Sequence, residues 1–188
     1  AEEHGLVHRD VKPENILLHE NRELFLTDFG IADMVDSQSM TATGQILGSP
    51  GHMAPEQIEG QHSDARTDVF ALGTVLYYLA TGRLPFTGKN PHQILKRIAD
   101  GEYPDPQRLA PRIGGRFAAI LKKSLERRPD DRYSSADALS ADLRAFVLEV
   151  GIEDAHVMLA KYLGALKPRI GHLTDGVNDV ARLGHVRS

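Results

Sequence analysis

His8-Arg9-Asp10-Val11-Lys12-Pro13-Glu14-Asn15 is the stretch on which the reading of this chain turns. It satisfies H-R-D-x-K-x-x-N, and five fixed residues at roughly 5% usage each give a chance rate of about 3 × 10⁻⁷ per starting position. Working outward, Asp28-Phe29-Gly30 begins thirteen residues after Asn15, and Ala54-Pro55-Glu56 follows beyond a long polar stretch. Any one of these pieces alone is weak. A lone Asp is usually a turn residue, and Asp-Phe-Gly alone is a common turn tripeptide. Their order and spacing are what carry weight.

That order and spacing resemble the signature set of the eukaryotic-like (Hanks-type) serine/threonine protein kinases. The resemblance covers residues 1–150 and implies a protein-kinase-like C-terminal lobe, mainly α with short β-hairpins. It implies transfer of the ATP γ-phosphate to a protein Ser or Thr hydroxyl, with ATP and Mg²⁺ as cofactors and proteins as substrates. The residue types suit that chemistry on their own terms. Phosphoryl transfer needs in-line positioning and charge neutralisation more than covalent help. Asp10, a loop carboxylate, can accept a hydrogen bond and then the proton of a hydroxyl. Lys12, two residues on in an extended stretch, falls on the same side as Asp10. Asn15 and Asp28 offer hard oxygen donors from neighbouring loops, and Mg²⁺ takes few such ligands beside phosphate oxygens and water. The resemblance assigns Asp10 as base, Lys12 to the phosphate, and Asn15 and Asp28 to the metal. It places Lys12, Glu14, Asn15, Leu17 and Asp28 around the nucleotide.

Supporting roles follow from the same likeness. His8 and Phe29 resemble members of a stacked spine, and Asp68 resembles a helix Asp that anchors the His-Arg-Asp backbone. Glu56 and Arg132 resemble a buried ion pair. Read alone, Asp68 is equally a helix cap, and Glu56 and Arg132 would be unpaired surface charges. Lys12 favours Ser/Thr over Tyr specificity. Gly48-Ser49-Pro50-Gly51-His52-Met53-Ala54-Pro55-Glu56 resembles G-T-P-x-Y-M-A-P-E. Ser49 keeps a hydroxyl able to reach Asp10 and Lys12, while His52 departs from the usual Tyr. Arg9 resembles the arginine of kinases switched by loop phosphorylation, which makes Ser37, Ser39, Thr41 and Thr43 the candidate acceptors.

The rest of the chain fits one lobe. Of 188 residues, 41% are hydrophobic and 26% charged, an ordinary globular balance that excludes disorder and a membrane-embedded bundle. A net charge of −4 argues against a nucleic-acid platform. There is no Cys, so disulfides and thiolate metal sites are excluded, and the nine His residues show no H-E-x-x-H spacing. The longest apolar stretch, 69–80, is too short and too mixed to span a bilayer. With no signal peptide, a cytoplasmic kinase domain is expected.

Ile16-Leu17-Leu18 and Leu24-Phe25-Leu26 predict a hairpin. Helices are predicted over 67–79, 91–99 and 112–125, and again from a capping-box-like Ser134-Ser135-Ala136-Asp137. Residues 33–53 predict a long loop, functional or mobile. Residues 151–188 carry five basic and four acidic residues and predict a helical appendage or linker.

No G-x-G-x-x-G and no V-A-I-K-like strand occurs, and only seven residues precede His8. The family's N-terminal lobe is therefore expected upstream of Ala1. The likeness is more to bacterial than to animal kinases. Two other readings remain open at this point. One is a truncated, non-catalytic binding module that docks substrates or partners. The other is a small-molecule phosphotransferase, which Lys12 and Ala54-Pro55-Glu56 count against.

Overall fold

The computed structural model describes residues 7–18, 24–28 and 50–152. A one-turn 3₁₀ helix, Pro13–Asn15, leads into strand β1 (Ile16–Leu18), which pairs antiparallel with β2 (Leu24–Leu26). The register is Ile16 with Leu26, Leu17 with Phe25 and Leu18 with Leu24, the hairpin that the two apolar runs predict. After a 3₁₀ turn at Pro50–His52 come helices α1 (Pro55–Ile58), α2 (Ala65–Thr81), α3 (Pro91–Asp100), α4 (Pro106–Leu109), α5 (Gly114–Ser124) and α6 (Ala136–Glu149). Of the predicted polar loop only residues 50–53 are described, and of the predicted appendage only Gly151 and Ile152.

Helix α2 organises the described residues, because its apolar positions run around most of its circumference and both sides must be covered. On one side Phe70 and Tyr77 pack with Ala54, Phe86, Ile98 and Leu125. The rings of Phe70 and Phe86 stack at 5.8 Å, and Tyr103 meets Tyr77 and Phe86 edge-on at 5.9 and 5.4 Å. On the other side Val69 packs with Ile120, Tyr133 and Leu139. Gly73 lets α5 approach closely: a Cβ there would lie 2.7 Å from the Cβ of Ser124.

The helix ends follow from capping. Asp64 accepts from the Arg66 N–H and opens α2, and Gly82, at φ +73°, closes it. The sequence prediction of 67–79 is two residues short at each end, because the cap and first turn are polar and the apolar run begins later. Asn90 and Pro91 open α3, which ends at Asp100. The predicted 112–125 helix divides into a 3₁₀ turn at Pro111–Ile113 and α5, separated by Gly114 at φ +73°. At α6 the side chain of Ser135 accepts from the Ala138 N–H. The third helical residue, Ala138, has no side chain to reach back, so the cap is single rather than a box.

Candidate active site

The His8–Asn15 segment is held mainly by side chains bound to its own backbone. Asp68, in the first turn of α2, accepts from the N–H groups of His8 and Arg9, at 2.7 Å each. Asp64, not Asp68, caps that helix, so Asp68 has the anchoring position. The buried His8 ring donates from Nε2 to the Thr27 carbonyl at 2.8 Å. Its Nδ1 is then an acceptor, and it faces the Asp10 N–H at 3.3 Å. Asn15, also buried, donates from Nδ2 to the Asp10 carbonyl at 2.8 Å and to its Oδ2 at 2.9 Å. Arg9 sits at φ +65°, a left-handed conformation that costs a non-glycine residue about 1–2 kcal/mol. It persists where surrounding bonds over-determine the backbone.

Lys12 is extended and its ammonium lies 2.7 Å from Asp10 Oδ2, the same-side placement expected from the spacing. Oδ2 thus accepts from both Lys12 and Asn15, and no hydrogen bond to Oδ1 occurs among the described residues. Asn15 spends its amide N–H groups on Asp10, which leaves its Oδ1 as an oxygen donor. Asp28 is exposed at φ +62° beyond β2, and Thr27 O–H donates to it at 3.4 Å. One amide oxygen and one carboxylate are a donor set that fits Mg²⁺, which keeps water and phosphate oxygens in its remaining positions. Glu14 is exposed, and Leu17 is 53% exposed on the hairpin. Phe29, Ser37, Ser39, Thr41, Thr43 and Ser49 lie outside the described residues.

Glu56 and Arg132 form a buried bidentate pair, at 2.7 and 2.8 Å, and are not surface charges. Thr67 adds a third bond to Glu56 at 2.8 Å. Burial by itself would raise the Glu56 pKa. The Arg132 bonds and charge, with Thr67, outweigh it and hold the carboxyl below its ordinary value.

Three elements of the site escape the motif reading. His52 Nδ1 meets Thr74 Oγ1 of α2 at 2.6 Å, which gives the histidine a partner on the helix beneath. Burial pulls its pKa below the usual value, Lys12 adds to this, and Glu14 and Asp10 oppose it. Gln57 accepts from the Ala54 N–H at 2.9 Å and donates to the Arg9 carbonyl at 3.0 Å. A glutamine at the third helical position can reach back to the N–H before the helix, but with Ala54 where a box has Ser or Thr, Ala54-Pro55-Glu56-Gln57 holds only half of that signal. Thr67 carried no comparable signal.

Comparison with known proteins gives the family. Residues 2–143 match the protein kinase domain. The serine/threonine-protein kinase PknL of Mycobacterium tuberculosis is 38% identical over 153 residues, which is 81% of this chain and 38% of that protein. PknB of Mycolicibacterium smegmatis is 37% identical over 145 residues, 76% of this chain and 23% of its own length. PrkC of Bacillus subtilis is 36% identical over 144 residues, 77% of this chain and 22% of its own. The chain therefore spans well under half the length of these relatives. With the family match covering most of its residues, the chain belongs to the protein kinase domain family.

Proposed function

We propose that residues 1–150 are the C-terminal lobe of a serine/threonine protein kinase domain, with an N-terminal lobe supplied by sequence upstream and residues 151–188 as an appendage. The lobe works in the cytoplasm and phosphorylates Ser or Thr hydroxyls of proteins. The observation that carries this reading is the wiring of Asp10. One carboxylate oxygen accepts from Lys12 and Asn15, and the other, which accepts no hydrogen bond among the described residues, is the one we assign to a substrate hydroxyl.

As that hydroxyl oxygen attacks the γ-phosphorus of ATP, the bond to the ADP oxygen breaks and the proton passes to Asp10. Lys12, already beside Asp10, is placed to meet the transferring group and offset its charge. Asn15 and Asp28 would hold Mg²⁺, which when bound neutralises phosphate charge and orients the leaving group. Asn15 also fixes Asp10 through two bonds, so it serves both metal and base. His52, in the turn before α1, feels the charges of Lys12 and Asp10, and Ser49 has a hydroxyl able to contact those two residues. The Ser/Thr candidates between 37 and 43 would couple to Arg9 when phosphorylated.

In the intact natural protein, Asp10→Asn should remove phosphate transfer from ATP to a protein substrate by at least about a hundredfold. Asp28→Ala should do the same while the fold, followed by circular dichroism, stays intact. Full transfer by either variant would overturn the assignment.

A further inference from the structure

We propose that Gln57 is a positioning residue for Asp10, clamping the peptide bond that precedes the base and tying it to the substrate-side turn. This rests on the kinase reading given above. The peptide between Arg9 and Asp10 has two polar ends, and both are held by side chains. Its N–H faces the Nδ1 of His8 at 3.3 Å, and its carbonyl accepts from Gln57 Nε2 at 3.0 Å. Rotation of that peptide plane swings the Cα–Cβ bond of Asp10, and with it the carboxylate. The hinge is under load, because Arg9 occupies φ +65° without being glycine. A strained backbone relaxes unless bonds on both sides oppose it. Asp68 holds the Arg9 N–H on one side of this hinge, at 2.7 Å, and Gln57 holds the carbonyl on the other.

Gln57 has a second arm. Its Oε1 accepts from the Ala54 N–H at 2.9 Å, two residues past His52, which is itself bonded to Thr74 of α2. One half-buried amide therefore bridges the turn that faces the protein substrate and the loop that carries the base, across 48 positions of sequence. A glutamine suits this place because its planar amide donates at one end and accepts at the other. Glu can keep the bond from Ala54 N–H, but an ionised carboxylate cannot donate to the Arg9 carbonyl. Met keeps the approximate volume and loses both arms.

The test uses the intact natural protein carrying Gln57→Glu or Gln57→Met. Steady-state phosphorylation should show kcat lower by about tenfold, the worth of one well-placed hydrogen bond, with KM for ATP within about twofold. Thermal unfolding should stay within a few degrees of the parent. Amide exchange of peptides spanning residues 7–12 should rise in both variants, and this readout needs no turnover. Parent-level kcat together with unchanged exchange over residues 7–12 would overturn the inference. So would a loss of activity that merely follows a general fall in melting temperature in both variants. An Asp10→Asn control keeps the two readings apart. Transfer that survives it sinks the kinase assignment, while the exchange measurement still decides for or against the clamp.

Discussion

Arg132 uses every donor a guanidinium has. Nε donates to the Glu126 carbonyl, one terminal nitrogen to Glu56 and the Arg66 carbonyl, and the other to Glu56 and the Arg127 carbonyl, at 2.7 to 3.0 Å. Phe70 lies against its face, with 4.8 Å from the guanidinium carbon to the ring centroid. Lysine offers three donors from one point and cannot fill this fork. Arg132→Lys should therefore destabilise by about 3–5 kcal/mol in urea, close to the cost of Arg132→Met, because either leaves the Glu56 charge buried without its bidentate partner. The same pair sets an acid limit. The Glu56 pKa is lowered in the fold, so its contribution is present above the ordinary carboxylate value of about 4.3 and fades as pH falls through the lower folded value. Urea midpoints measured from pH 6 to 3 should drop with a shallower slope in Glu56→Gln. His52 acts in the same direction at higher pH: its pKa is lowered, so protonation near and below about 6.5 costs stability. At this scale the sequence exposed the residues that sit inside a contiguous motif, Asp10, Lys12 and Asn15. It named Glu56 and Arg132 only through resemblance, since a pair 76 positions apart leaves no local pattern. It missed Gln57 and Thr74, whose partners are set by how α1 and α2 lie under the loops.

Among the elements, α2 is the most constrained, and Gly73 marks where. Alanine would favour the helix by about 1 kcal/mol, yet its Cβ would stand 2.7 Å from Ser124 Cβ. Gly73→Ala should lower stability by about 1–3 kcal/mol through overpacking against α5. Adding Ser124→Gly should recover part of that loss, a non-additivity readable from the four melting curves of the cycle. Long periodic helices and the hairpin were legible, because period and turn chemistry agree with the fold there. The one-turn helices α1 and α4 were not. Each holds four residues opened by a proline, too few to show a period, and each is fixed by tertiary contacts. The break at Gly114 was equally hidden, since the apolar spacing continues through α5 while the preceding turn is 3₁₀.

Seen whole, among the described residues α2 is covered on two sides, while the hairpin, like the C-terminal ends of α2 and α6, leaves apolar side chains exposed. Leu17, Leu18, Leu24 and Phe25 are 45–63% exposed, and a two-stranded sheet this short has little stability by itself. An upstream lobe seated there would bury these side chains and complete the nucleotide cleft. Residues 1–188 alone should accordingly bind Mg²⁺-ATP weakly in isothermal titration. Under the proposed lobe assignment, the same residues joined to an N-terminal lobe of the family should bind at least about tenfold more tightly, a difference of roughly 1.4 kcal/mol. Equal affinity would count against the lobe assignment.

The aromatic cluster along α2 also makes the molecule its own optical gauge. The chain has no Trp, so five tyrosines dominate its near-ultraviolet absorbance. Burial pushes Tyr77 and Tyr103 up to about 12, with Asp105 adding to the first and Glu126 to the second. Tyr133 rises too, through burial and its bond to Asp142. Phenols whose protons are retained in the fold stabilise it below their ordinary value of about 10 and stop doing so as pH climbs through the folded value. An alkaline absorbance titration should therefore show part of its phenolate amplitude arriving late and together with the loss of helix. The shortfall at moderate alkalinity would count the molecules whose core is still closed.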